Sequence, residues 1–272
     1  MGEQMHKLLK IYVGLILLFL YFPIFYLIFY SFNENGDMIN FTGFSLDAYI
    51  ELFSNQHLLI VLLNTLLIGF ISSFIATIIG FCGAMTIYNI KNKKYKAIIN
   101  IANSLFLVSP DVIIGISLLT IFTFFQIKLG FFTVLLAHIA FSVPATCIII
   151  YAKLNTFNPK LIQAGKDLGC NDQEILKLII FPLIKTALLG AFFTAFTYSI
   201  DDFAVTFFVT GNSFTTLGID IYAAARQGIS LTINALSTII FIITLFIALI
   251  YWIYENKKER NEKNNFTFNN ID

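Results

Sequence analysis

Two adjacent carboxylates, Asp201 and Asp202, interrupt the apolar stretch FTYSIDDFAVTFFV at residues 196–209. A third carboxylate, Asp111, follows a Ser-Pro pair inside another apolar stretch. Placing one aspartate at the centre of a membrane helix costs about 2.5–3.5 kcal/mol on insertion scales. Such a group is tolerated where it faces water, a cation or a hydrogen-bonding partner. These residues could therefore bind a positive charge, or they could form hydrogen bonds inside a helix bundle.

The segments that hold these carboxylates are long enough to cross a membrane. The 272 residues are 58% hydrophobic and only 12% charged, whereas soluble domains carry about 25% charged residues. A crossing helix needs about 20 apolar residues, and six segments reach that length: residues 8–31, 58–88, 97–125, 131–152, 183–211 and 233–254. The composition predicts an all-α polytopic membrane protein of six transmembrane helices. The first is expected to be a retained helix and not a signal peptide, because its apolar part is too long.

The basic residues predict the orientation of these helices. If six spans alternate across the membrane, all but Lys128 and Arg226 of the 17 lysines and arginines fall on one side. Cytoplasmic loops are the ones enriched in basic residues. Both termini and the loop at residues 153–182 are therefore predicted to be cytoplasmic. Residues 58–254 would form the membrane core, and residues 255–272 a charged cytoplasmic tail.

Several classes of chemistry receive no support from the sequence. The three cysteines, Cys82, Cys147 and Cys170, lack CxxC spacing and are expected to be free thiols. The three histidines form no cluster, and neither a phosphate-binding loop nor a nucleophile motif is present. We therefore expect no catalytic residue, metal or cofactor, and no nucleic-acid partner. Any energy for the work of this protein would come from outside the chain.

The loop NTFNPKLIQAGKDLGCNDQEILKLIIFP, residues 155–182, reads as two short helices. Asn158 is a plausible N-cap with proline at the first helical position, and Gly169 suits the left-handed end of that helix. Asn171 and Glu174 have the spacing of a capping box, and the second helix would run to about residue 180. Such a hairpin could rest on lipid headgroups. The small residue Gly165 instead suggests a notch in the surface that suits a protein partner.

This loop resembles the signature E-A-A-x3-G-x9-I-x-L-P of ATP-binding-cassette importer permeases. The spacing is kept throughout, with Gln, Gly and Phe in place of Glu, the second Ala and Leu; the matching positions are Gln163, Ala164, Gly165, Gly169, Ile179, Phe181 and Pro182. In that family the loop docks on a separate ATPase subunit. ATP hydrolysis takes place in that subunit, so this chain would not itself be an enzyme. The resemblance implies a coupling role for six loop residues: Gln163, Ala164, Gly165, Asp167, Gly169 and Pro182.

Three further stretches resemble the second permease of spermidine/putrescine importers: LVSPDVIIGISLL at residues 107–119, SIDDFAVTFFVTG at 199–211 and GISLTINALSTI at 228–239. The resemblance implies a type I importer permease that forms half of a polyamine pathway by alternating access. Its partners would be a second homologous permease, ATP-binding-cassette ATPase subunits, an extracytoplasmic polyamine-binding protein and membrane lipid. The implied pathway residues are Asp111, Tyr198, Asp201, Asp202 and Phe203.

Alternatives remain for both the site and the function. Adjacent residues on a regular helix point about 100° apart, so one aspartate could face the pathway while the other packs against a helix. Both could instead be held by Thr, Tyr or backbone donors, or one could pair with Arg226. Ser109, Pro110 and Asp111 form a helix-start pattern that predicts a broken helix. The other functions are an importer for ferric iron, another cation or an anion, an ion-gradient-driven secondary transporter, and a non-transporting scaffold.

Overall fold

The computed structural model describes residues 2–34, 38–228, 230–246, 249 and 253. In these ranges the regular structure is helical, and the sole β pairing is an isolated bridge between Asn33 and Phe44. The elements are α1 Gly2–Tyr30, α2 Asp47–Ser54, α3 Gln56–Asn89, α4 Lys93–Val108, α5 Asp111–Phe124, α6 Phe131–Asn155, α7 Lys160–Asp167, α8 Asp172–Glu174, a π-helical turn Ile175–Ile180, α9 Phe181–Asp201, α10 Ala204–Val209, α11 Leu217–Gln227 and α12 Leu231–Phe246.

Among the described residues, four helices are long and apolar enough to cross a membrane. They are His6–Tyr30, α3, α6 and the continuous run Asp172–Asp201 that ends with α9. Helices α4 and α5 pass the same test as a pair, but they are bent by 103° at a short break. The predicted all-α polytopic class is confirmed. The count of six spans and the side of the termini stay predictions, since part of segment 233–254 and all of the tail 255–272 lie outside the described residues.

The chain divides into two compact units, and the residues of interest lie in the unit His57–Ala223. Helix α6 is its central element, with Val134, Ala137, Ile150 and Leu154 all fully buried. One apolar cluster joins the C-terminal halves of α3 and α6 to the π-helical turn and α9. A second joins α3, α5, α6 and α10 around Val134. The two clusters leave the region between them to polar side chains.

Small residues spaced i, i+4 along α3 let neighbouring helices approach it closely. Ser72, Ser73 and Ala76 are fully buried. A Cβ added to Gly80 would lie 2.1 Å from Thr146 Oγ1 on α6. The Thr146 hydroxyl donates to the backbone oxygen of Ala76 at 2.9 Å. Helices α3 and α6 therefore meet at nearly backbone-to-backbone distance.

The other unit comprises Met1–Gln56 and Ala224–Asp272. Its loop between α1 and α2 is organised by Asn33, whose side-chain oxygen accepts from the Thr42 backbone N–H at 2.8 Å and whose amide donates to the Asn40 carbonyl at 2.9 Å. The Thr232 hydroxyl donates to Glu51 at 2.9 Å. This unit thus brings the segment before α3 together with the start of α12.

Candidate functional site

The helix break predicted around Pro110 is present. Helix α4 ends at Val108, and α5 begins at Asp111 after Pro110 adopts extended dihedral angles of −59° and 135°. Proline has no N–H to continue the preceding helix and restricts the residue before it. The N-cap of α5 is therefore Pro110, the middle residue of the predicted helix-start pattern. Asp111 occupies the first turn of α5, where the helix dipole favours a negative charge.

A second break separates α9 from α10 at the paired aspartates. Asp201 is the last residue of α9, and Asp202 is extended with dihedral angles of −69° and 126°. The Asp202 carboxylate accepts from the backbone N–H groups of Val205 at 3.2 Å and Thr206 at 2.8 Å, and from the Thr206 hydroxyl at 2.5 Å. Asp202 thus satisfies the donors that open α10. The expected 100° divergence of a regular helix does not apply here.

Both breaks open onto one cavity of about 360 Å³. Its lining residues are Leu107, Asp111, Phe141, Tyr198, Asp201 and Asp202. The side chains of Asp111 and Asp201 are exposed, and neither has a hydrogen-bond or ion-pair partner among the residues that the structure describes. The Asp202 side chain is only 6% exposed. The cavity is therefore acidic, with no lysine or arginine in its described lining.

Phe203, the fifth predicted pathway residue, does not line this cavity. Its ring stacks on Tyr222 of α11 with centroids 4.3 Å apart. Phe203 lies between α9 and α10, so the direction of its side chain does not follow from regular helix geometry. The sequence reasoning missed Leu107 and Phe141, which carry no polar group to draw attention to them.

The reasoning also missed His138, because a single histidine in an apolar span gives no cluster signal. His138 on α6 is fully buried. Its Nδ1 lies 2.6 Å from Ser199 Oγ, and its Nε2 lies 2.8 Å from Thr206 Oγ1 and 3.5 Å from Asp202 Oδ2. Ser72 Oγ on α3 is 3.3 Å from Ser199 Oγ. A buried polar network therefore connects four helices to the carboxylate at the break.

Two glycines allow neighbouring helices to approach the second break. A Cβ on Gly115 of α5 would lie 2.7 Å from Phe208 Cδ2 and 3.2 Å from Val205 Cα, both on α10. A Cβ on Gly218 of α11 would lie 2.9 Å from the Asp202 carbonyl oxygen. Distances under 3.0 Å are shorter than ordinary packing contacts, so a side chain at either position would displace the backbone at the break.

The hairpin after α6 has the predicted two-helix form, although the N-cap of α7 is Pro159, one residue after the predicted Asn158. The Asn158 side chain accepts from the Lys160 N–H at 3.0 Å, and Gly169 has φ +87°. Asn171 and Glu174 form both bonds of the capping box, at 2.9 and 2.8 Å. The second helix continues through the π-helical turn into α9, where Pro182 lies in the first turn.

One feature of the hairpin differs from the prediction. Gly165 is buried and forms no open notch, because the π-helical turn covers it: an added Cβ would lie 2.6 Å from Ile179 Cδ1. The small residue serves packing within the hairpin. The outer face of α7 presents Gln163, Ala164 and Asp167 instead, all exposed. Leu168, just beyond α7, is 85% exposed.

The family model described as "binding-protein-dependent transport system inner membrane component" matches residues 76–260. The chain belongs to this family. The permease is 34% identical over 234 residues to the spermidine/putrescine transport system permease protein PotC of Haemophilus influenzae, covering 85% of this chain and 90% of that protein. It is 36% identical over 233 residues to PotC of Escherichia coli K12, covering 85% and 87%. These findings confirm the resemblance predicted from the loop motif and the three polyamine-type stretches.

The fold of the permease also matches a solved transporter. The crystal structure of a bacterial ABC transporter that imports the acidic polysaccharide alginate contains a chain with a TM-score of 0.70, at 15% identity and covering 91% of this chain and 93% of that one. This likeness confirms the predicted importer-permease fold. Its helices and its family make the permease a multi-pass protein of the cytoplasmic membrane. The curated relatives are permease subunits of transport systems.

Proposed function

We propose that this permease forms half of the translocation pathway of an ATP-driven polyamine importer, and that the cavity between the two helix breaks is part of that pathway. The observation that carries the proposal is a pair of carboxylates, Asp111 and Asp201, which line one cavity of about 360 Å³ and form no hydrogen bond or ion pair with the described residues. Irregular backbone at membrane depth is tolerated where it lines a cavity or is buried in protein. The curated relatives are named as spermidine/putrescine permeases.

The chemistry of the cavity suits a chain of ammonium groups. Two opposite charges 4 Å apart attract by about 4 kcal/mol at an effective dielectric of about 20, against about 1 kcal/mol in water. Tyr198 and Phe141 add aromatic faces, which attract cations. A bare anion would be repelled by three carboxylates in the same space. Because more than one carboxylate lines the cavity, a substrate with more than one positive charge suits it.

The loop at residues 155–182 would carry the motion of an ATPase into the membrane core. Helix α7 is short and its outer face is exposed at Gln163, Ala164 and Asp167, while Gly165 is packed against the π-helical turn that leads directly into α9. Movement of α7 would therefore reach α9, whose last residue is Asp201. The remaining partners would be a second permease, an extracytoplasmic polyamine-binding protein and surrounding lipid.

Uptake of labelled spermidine tests the proposal in cells that lack other polyamine importers and express the complete transporter. Asp201→Asn and Asp111→Asn are expected to raise KM by about tenfold each, the effect of losing one charge-assisted contact. Asp47→Asn, an exposed acidic residue that does not line the cavity, serves as the matched control and is expected to leave KM unchanged. Co-purification of the ATPase measures assembly.

Three results would overturn the proposal. Spermidine uptake that is unchanged when this chain is deleted removes the polyamine assignment. Transport by the purified permease with an ion gradient and no ATPase indicates a secondary transporter. Loss of assembly in Asp201→Asn, in place of a change in KM, means that the carboxylate is structural.

A further inference from the structure

We propose that His138 is a positioning residue for the cavity, which holds the break between α9 and α10 through a directed chain of hydrogen bonds ending on Asp202. The inference rests on the proposed function, since it assigns different tasks to the two adjacent aspartates. Asp202 would be the fixed charge, anchored from within the bundle. Asp201 would be the unengaged charge, held at the cavity by its neighbour.

The distances determine the direction of the chain. Thr206 has a single hydroxyl proton. It donates this proton to Asp202 Oδ2 at 2.5 Å, because a carboxylate can only accept. The Thr206 oxygen must then accept from His138 Nε2, at 2.8 Å. His138 therefore carries a proton on Nε2. The direct His138–Asp202 separation of 3.5 Å is too long for a strong hydrogen bond, so Thr206 is the link.

The other side of the imidazole completes the chain. The Ser199 hydroxyl lies 2.6 Å from His138 Nδ1 and, among the described residues, has no other acceptor. Ser72 Oγ lies 3.3 Å from Ser199 Oγ and also 3.3 Å from the Gly69 carbonyl oxygen, so its single proton serves one acceptor or the other. A neutral imidazole satisfies all of these bonds, with Nδ1 accepting and Nε2 donating. From Ser199 on α9 onward, every donor then points through α6 and α10 toward Asp202.

The chain has a mechanical consequence for the cavity. It connects the helix that carries Ser199, two residues before Asp201, to the helix that follows the break. Three of the roughly four acceptor positions of a carboxylate are taken on Asp202, by the Val205 N–H and by the N–H and hydroxyl of Thr206. Without His138, the Thr206 oxygen loses its donor and α10 loses its tie to α6, so the break can relax into the cavity. The first effect would be weaker binding of the substrate in the cavity.

Paired substitutions at His138 and Thr206 test the proposal in the complete transporter. His138→Leu and Thr206→Val interrupt the chain and are expected to raise KM for spermidine by about tenfold, with kcat changed far less. His138→Gln keeps one acceptor and one donor in the side chain, and Thr206→Ser keeps the hydroxyl. Both are expected to hold KM within about threefold of wild type. Ser73→Ala removes a fully buried hydroxyl whose bonds to the described residues all lie within α3, and it is expected to leave KM unchanged.

A double-mutant cycle adds a sharper criterion. If His138 acts through Thr206, the combined His138→Leu/Thr206→Val variant raises KM no more than the worse single variant. His138→Leu combined with Asp111→Asn, at a separate point of the cavity, is expected to be close to additive. Additive effects of His138 and Thr206, or a KM for His138→Leu equal to wild type, would overturn the proposal. So would failure of His138→Gln to recover function in an assembled complex.

Amide hydrogen exchange provides a readout that does not depend on the substrate. In the purified complex, His138→Leu and Thr206→Val are expected to speed exchange at the Val205 and Thr206 amides, which donate to Asp202. Unchanged exchange would sink the positioning role even if transport falls. Conversely, a wild-type transporter that takes up no spermidine contradicts the proposed function alone, because faster exchange in the variants would still support the chain.

Discussion

Replacing Gly80 by alanine tests how closely α3 and α6 must approach. The added Cβ would lie 2.1 Å from Thr146 Oγ1, 2.8 Å from Thr146 Cβ and 2.9 Å from the Cys147 backbone nitrogen. Carbon atoms in contact prefer about 3.5–4.0 Å, so the helices must separate by about 1 Å. Overpacking of this kind costs about 1–3 kcal/mol, while the better helix propensity of alanine returns about 1 kcal/mol. A separation would also lengthen the bond from Thr146 to the Ala76 carbonyl.

Gly190→Ala is the matched control, because a Cβ at that position of α9 meets nothing within 4 Å in this chain. Both variants gain the same helix propensity, so the difference between them isolates the steric cost of about 1–3 kcal/mol. Gly83→Ala should fall between them, since its Cβ would lie 3.3 Å from Cys147 Sγ. The purified transporters are heated, and the fraction that stays assembled is measured by size-exclusion chromatography. The temperatures at which assembly is lost give the order of stability.

A second variant identifies which contact causes the loss. Thr146→Ala added to Gly80→Ala removes the hydroxyl that lies closest, but the Cys147 backbone nitrogen stays where it is, so only partial recovery is expected. Gly80→Ala as stable as Gly190→Ala would refute the close-packing argument. Full recovery in the double variant would show that the backbones have room to spare.

Four further substitutions probe the hairpin and the break. Gly169→Ala should cost about 1 kcal/mol through its positive φ of +87° and lower spermidine-stimulated ATPase activity. Gly165→Ala should change that activity little, because its Cβ would meet the flexible end of Ile179 at 2.6 Å and Ile175 at an ordinary contact distance of 3.6 Å. Asn171→Ala removes the capping box and should destabilise the start of its helix by about 1 kcal/mol, measured as faster amide exchange at residues 172–175. Gly115→Ala should displace α10 and raise KM for spermidine, because its Cβ would lie 2.7 Å from the Phe208 ring; normal uptake would contradict this.

Local rules explain why the hairpin could be predicted from the sequence. Asn158, Gly169 and the pair Asn171–Glu174 each act on backbone groups within a few residues, so their effect does not depend on distant parts of the chain. The break at Pro110 is local for the same reason. Gly165 was misjudged because its partner Ile179 lies 14 residues away, and a small residue looks the same whether it faces its own chain or another protein.

The paired aspartates show where local reasoning ended. The free-energy cost of a carboxylate in an apolar segment marked them as candidate functional residues, and this cost follows from solvation alone. Whether they would diverge depended on a helix break between α9 and α10, which no proline announces. That break is stabilised by Asp202 accepting from the opening donors of α10, and by close approach of Gly115 and Gly218 from other helices. Phe203 lies outside the cavity lining for the same reason, and its pathway role stays a prediction.

The sequence by itself determined the class of this protein, since apolar length, basic loops and a spaced loop motif act through solvation and local backbone chemistry that need no distant contact. Tertiary structure alone decided which polar groups meet. His138 lies 61 residues from Ser199 and 68 from Thr206, yet each is within hydrogen-bond distance of its imidazole. Only the packing of α6 against α9 and α10 brings them together, because a buried polar group takes the partners that its neighbouring helices supply.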